Sequence, residues 1–126
     1  MKVFGAYALN WNASVGAFMF AQSGQPWEMW SYEPYRALTT NTSDTDRYAE
    51  PAGSRRSPSH YQFDLNYTQS VRLRGTARAV IAADVFNIFN KQTGYNYQPG
   101  FHSATFNQPR SYYDPARLEM TVRFEF

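Results

Sequence analysis

Two histidines, His60 and His102, stand far apart in a chain of 126 residues, and neither has a nucleophile or metal-ligand partner at a recognisable spacing. There is no G-x-S-x-G elbow, no H-E-x-x-H pattern and no glycine loop shaped to cradle a phosphate. The absence of cysteine removes thiolate metal sites, thiol nucleophiles and disulfide frameworks. Asp44 and Asp46 have a spacing found among calcium ligands, but the glycine and distal glutamate of an EF-hand loop are missing, so the pair reads as solubilising. No enzyme, cofactor or metal site is expected.

What the residues do offer is recognition chemistry. Trp27, Trp30, Tyr32, Tyr35, Tyr95, Tyr97 and Phe101 fall in two long, turn-rich segments and could present flat faces to a sugar or another planar ligand. The same kinds of ring, with Trp11 and Tyr61, equally suit the two water interfaces of a membrane. A second set, Arg117, Glu119, Arg123 and Glu125 with Arg78 and Asp84, forms polar rows suited to pairing across strands or to lining a lumen. Twelve basic residues against ten acidic ones give a net charge of only +2, and Arg55-Arg56 is the single adjacent basic pair. That is no electrostatic footprint for nucleic acid, which is not expected as a partner.

Strands must hold these side chains. The final eleven residues, Ala116 to Phe126, alternate apolar and polar without error, with Arg117, Glu119, Thr121, Arg123 and Glu125 on one face. Tyr61, Phe63, Leu65 and Tyr67 alternate with Gln62, Asp64, Asn66 and Thr68 in the same way. Ala77, Ala79, Ile81, Ala83 and Val85 make a third apolar face, although Val80 interrupts the polar row opposite. Val3 to Leu9 and Ala13 to Gln22 are strand-like by composition, with poor alternation. The expected strands therefore cover about 2–9, 13–22, 61–69, 76–90 and 116–126. Their connections run short, long, short, long, the long ones being about 23–60 and 91–114. Such an order places all the short turns at one end of an up-and-down antiparallel sheet, as in outer-membrane barrels.

Aromatic residues make up 18% of the chain and charged residues 17%, more rings than so small a soluble core readily encloses. The longest strictly apolar runs, Ala17 to Ala21 and Ala79 to Ala83, are five residues each, whereas a membrane-crossing helix needs roughly 20. A transmembrane strand needs only about 9–11 residues with one apolar face, so the mean hydropathy of -0.61 is compatible with a membrane barrel. The expected fold is all-β: one partial barrel domain over residues 1–126, open when alone. Five strands cannot close around a lumen, so partner strands and membrane lipid are expected.

Four segments in order resemble the C-terminal strands of TonB-dependent receptors of the large-barrel kind. They are Gln22-Ser23-Gly24-Gln25-Pro26-Trp27, Gly53 to Leu65, Asp84-Val85-Phe86-Asn87-Ile88-Phe89-Asn90, and the Pro115 to Phe126 ending. The resemblance implies a complete protein of about 22 strands around a plug, importing a scarce nutrient across a bacterial outer membrane with energy from the TonB system. It also implies that the terminal strand, with Phe126 and Phe124 on one face, is read by the barrel-assembly machinery, a task for which an exposed edge strand is physically suited. A signal sequence, TonB box, plug and most of the barrel would lie upstream, and the chain reads as truncated. Two other classes fit the alternation: a small soluble β-sandwich or lipocalin-like barrel with its apolar faces turned inward around an apolar ligand, and a purely structural outer-membrane barrel.

Overall fold

The computed structural model describes residues 1–32 and 47–126; Tyr35, Asp44 and Asp46 lie outside the described residues. In chain order the strands are β1 (Lys2–Leu9), β2 (Ala13–Gln22), β3 (Pro26–Trp27), β4 (Trp30–Ser31), β5 (Arg47–Tyr48), β6 (Arg55–Arg56), β7 (His60–Arg72), β8 (Arg78–Phe86), β9 (Gly94–Tyr97), β10 (Pro109–Tyr112) and β11 (Arg117–Glu125). The chain is all-β and antiparallel, with no helix among the described residues. It divides into two compact units, one of residues 1–22, 60–91 and 114–126, the other of residues 23–59 and 92–113.

The first unit is a five-stranded meander in the order β1-β2-β7-β8-β11. Its register explains which side chains share a face, because partners across an antiparallel pair point the same way. Gly5, Ala17, Leu65, Val85 and Leu118 form one row; Tyr7, Val15, Tyr67, Ala83 and Met120 form the next. Leu9, Ala13, Gln69, Ile81 and Val122 follow, then Val71, Ala79 and Phe124. One face is thus apolar from edge to edge. Gln69 is the exception, and it is satisfied locally: its amide donates to the carbonyls of Trp11 (3.0 Å) and Ser70 (3.1 Å), while Tyr67 Oη donates to its Oε1 (2.8 Å). The opposite face carries the row Ala6, Gly16, Asn66, Asp84 and Glu119, and another of Arg72, Arg78 and Glu125.

The register also accounts for the poor alternation of the first two strands. Lys2, Phe4, Ala6 and Ala8 of β1, with Phe18 and Phe20 of β2, occupy the otherwise polar face. Those strands are therefore apolar on both sides, which blurs a period of two.

Two expectations need correction. The strand expected over 76–90 ends at Phe86, because Asn87 and Asn90 both adopt left-handed backbone, each at φ 48°, and break the ladder. In the other direction, the strand expected over 61–69 continues to Arg72, since Ser70, Val71 and Arg72 pair with Val80, Ala79 and Arg78. Among the described residues the long connections also contain short strands. These are the paired strands β3–β6, β4–β5 and β9–β10, so polar and turn-rich sequence conceals short ladders.

Candidate functional site

The apolar face is the feature with the largest chemical consequence. Among the described residues, the only buried hydrophobic side chains are Ala13 and Ala79. Leu118 is 62% exposed, Met120 69% and Val122 55%. A sheet that turns this much apolar surface to its surroundings loses the main favourable term of folding in water unless something apolar covers it. No helix among the described residues is long and apolar enough to cross a membrane, which says nothing about strands.

The charged residues singled out from sequence share the other face of the sheet. Arg78 pairs across strands with Glu125. Arg117 Nε lies 3.0 Å from Glu119, and Arg123 Nη2 lies 2.9 Å from Glu125, both within β11. Asp84 does not join these ion pairs; its Oδ1 accepts from Asn66 Nδ2 at 2.7 Å. The reason is spacing. Residues two apart on one strand point to the same face, so β11 largely compensates its own charge. A groove of about 570 Å³ opens on this sheet, walled by Phe4, Phe18 and Phe86 beside Asp64 and Asp84.

Where the strands end toward the long connections, Asn87 is almost fully buried and acts as a clasp. Its Nδ2 donates to the carbonyl of Asp114 at 2.7 Å, its Oδ1 accepts from Lys91 N at 3.1 Å, and its own N donates to Asp64 Oδ1 at 2.8 Å. Asn90 Oδ1 accepts from Ala116 N at 2.9 Å. Together the two asparagines join the ends of β7 and β8 to the start of β11. Sequence reasoning did not pick out either as a functional residue; an Asn-x-x-Asn directly after a strand was the available signal, because Asn tolerates left-handed backbone and can bond nearby main chain.

Within the second unit, the loop aromatics pack chiefly on one another. Trp27 stacks on Tyr97 with ring centroids 5.4 Å apart at 14°, and Phe106 meets its edge at 6.3 Å. Tyr32 stacks on His102 at 4.2 Å, Trp30 meets Tyr48 at 5.6 Å, Tyr95 meets Tyr113 at 4.8 Å, and Phe101 meets Phe106 at 5.5 Å. Six of the seven rings that could present flat faces to a planar ligand are thus engaged with neighbouring rings; Tyr35 lies outside the described residues. Trp30 and Phe101 keep the most exposure, and Trp27, Trp30 and Tyr97 edge a cavity of about 500 Å³ with Glu28, Gln98 and Arg110.

An ion pair unnoticed in the sequence fixes that packing. Arg55 grips Glu50 through two bonds, Nε to Oε2 at 2.7 Å and Nη2 to Oε1 at 2.6 Å. The guanidinium lies 5.1 Å from the Trp27 ring centroid and 5.5 Å from that of Phe106. Arg55, aided by donation from Met29 N and Ser54 Oγ, holds the Glu50 carboxyl down at about 2. Glu28 is lowered by bonds from Trp30 Nε1 and Gly53 N. At Gly24 the chains pass so closely that a Cβ would sit 1.6 Å from the carbonyl oxygen of Ser57, and the contact is locked by Gln25 N donating to Ser57 Oγ at 2.8 Å. Only glycine fits there.

No group of three or more His, Cys, Asp or Glu suited to a metal occurs among the described residues. No protein-family model, curated protein or solved structure matches the chain.

Proposed function

We propose that the chain is a wall segment of a bacterial outer-membrane β-barrel of the TonB-dependent receptor type, serving nutrient uptake. In this reading the five long strands cross the bilayer, the two long connections are outer loops, and the strand ending at Phe126 carries the assembly signal. One observation carries the proposal: an exposed apolar face continuous across five strands, in a chain with almost no buried hydrophobic core among its described residues. Lipid would cover that face, other strands would meet the two edges, and a lumen would receive the polar face. Sequence order supports the more specific assignment, through the four segments that resemble TonB-dependent receptors.

A small soluble barrel around an apolar ligand is less well supported, since Leu118, Met120 and Val122 would then be sealed inside. The test is partition. The 126-residue chain is expected to stay dispersed as a folded sheet only when detergent covers its apolar face, and to leave solution when the detergent is removed. A monodisperse, detergent-free monomer in the soluble fraction would overturn the proposal.

A further inference from the structure

On the polar face of the five-stranded sheet, two aromatic rings already hold a cation. Lys2 Nζ lies 5.7 Å from the Phe20 ring centroid, and the Arg117 guanidinium lies 4.8 Å from that of Phe86. Phe4 and Phe18 stand on the same face, partners across β1 and β2, and neither has a cation over its ring among the described residues. Phe4 is 80% exposed.

Carboxylates flank these rings. Phe18 is partnered with Asp64 on β7, and Asp84 on β8 lies in the next row, opposite Glu119. Asp64 accepts from Gln62 Nε2 at 2.9 Å and from Asn87 N at 2.8 Å, and Asp84 accepts from Asn66 Nδ2 at 2.7 Å. All of these donors are neutral, so neither carboxylate has an ion pair among the described residues. Glu119 is compensated by Arg117, which leaves Asp84 beside a like charge without a counter-ion of its own.

The rings and carboxylates border the groove of about 570 Å³, whose floor is made shallow by Ala6 and Gly16. A Cβ on Gly16 would meet Asn66 Cβ at 3.5 Å, an ordinary contact, so the backbone would admit a side chain here and the sequence supplies none. We infer that this groove binds a small organic cation, an ammonium or guanidinium head carried on an apolar body. The head meets the carboxylates of Asp84 and Asp64, and the body lies against Phe4 and Phe18. An anion would face two carboxylates, and a neutral apolar molecule would strip water from them without compensation. A hydrated metal ion would gain little from walls of phenylalanine. The groove belongs to the polar face, so the inference stands whether or not lipid covers the other one.

The test is calorimetric titration of the full chain in dodecyl maltoside, since choline detergents carry a quaternary ammonium of their own, with empty micelles as the blank. The probes are 2-phenylethylammonium, the neutral 2-phenylethanol and the anionic 3-phenylpropionate. Saturable binding is expected for the ammonium and at least several-fold weaker binding for the other two. Asp84→Asn, which removes charge, and Gly16→Val, which fills the floor, should each weaken the ammonium several-fold, while Asp114→Asn, an exposed carboxylate outside the groove, should not. Circular dichroism checks that each variant keeps its strands, and either groove variant alone suffices. Absence of saturable binding, equal binding of ammonium and alcohol, or equal weakening by Asp84→Asn and Asp114→Asn overturns the inference. So does binding of acetylarginine amide with none of 2-phenylethylammonium, which would make the groove a seat for a side chain of another polypeptide.

Discussion

At the scale of single residues, two clasps have consequences that can be measured. Asn87 combines near-complete burial, left-handed backbone and three hydrogen bonds to segments distant in sequence or across the turn. Asn87→Ala leaves the Asp114 carbonyl and the Lys91 amide unpaired, costing about 1–3 kcal/mol, with about 1–2 kcal/mol more for an alanine held at positive φ. Asn87→Gly keeps the backbone and loses only the bonds, so its urea midpoint in detergent should fall between those of the alanine variant and the parent. Equal midpoints for all three would show that the clasp contributes nothing. The second clasp, Glu50 with Arg55, predicts a pH response. Because the folded carboxyl sits at about 2 against an ordinary 4.5, its contribution is whole above pH 4.5. It declines as pH falls below that value and is gone once pH drops through about 2. Fluorescence of Trp27, which lies against the Arg55 guanidinium, should therefore change in that window in the parent, and the change should be absent in Glu50→Gln.

At the scale of elements, the two faces of the sheet make opposite demands of neighbouring positions. Met120 and Thr121 are adjacent on β11, but Met120 shares the apolar row with Ala83, and Thr121 shares the other face with Ala82. In a bilayer, Met120→Arg should destabilise by about 2–4 kcal/mol near mid-depth, while Thr121→Arg should be nearly neutral. Equal effects in lipid would remove the distinction between a lipid side and a water side. This two-faced pattern was legible in the sequence wherever polar residues punctuate it, as in β7 and β11. It was obscured in β1 and β2, where Phe4, Phe18 and Phe20 fill the second face, and only the register resolves it. The ladders inside the long connections were not legible, since strands of two to four residues leave too few positions for a period to appear. Nor was the aromatic core of that unit. Composition placed the rings in the right segments, but pairing Trp27 with Tyr97 requires bringing residues 70 positions apart together, which no local pattern encodes. Alternation puts the charges of β11 in one row; that its members bond along the strand more than across it follows from side-chain reach, invisible to alternation alone.

At the scale of the whole molecule, the proposed barrel makes the last strand both a wall element and a signal. Phe124 lies on the apolar face in register with Ala79, whereas Phe126 follows the last paired residue and is 97% exposed. A ring that touches so little of the sheet adds little to its internal packing, so packing within the chain supplies no structural reason for it. Recognition does, if an assembly machine adds the free edge of β11 to its own strand and reads the terminal ring in a pocket. Phe126→Ala in the assembled protein should then cut the fraction migrating as a heat-modifiable barrel several-fold, while leaving the thermal midpoint of the barrels that do form unchanged. Phe124→Ala removes a ring on the wall itself and should lower both quantities. If Phe126→Ala instead lowered the midpoint and spared the yield, the ring would be part of the wall, and the assembly signal would have to reside in the alternation of β11 alone.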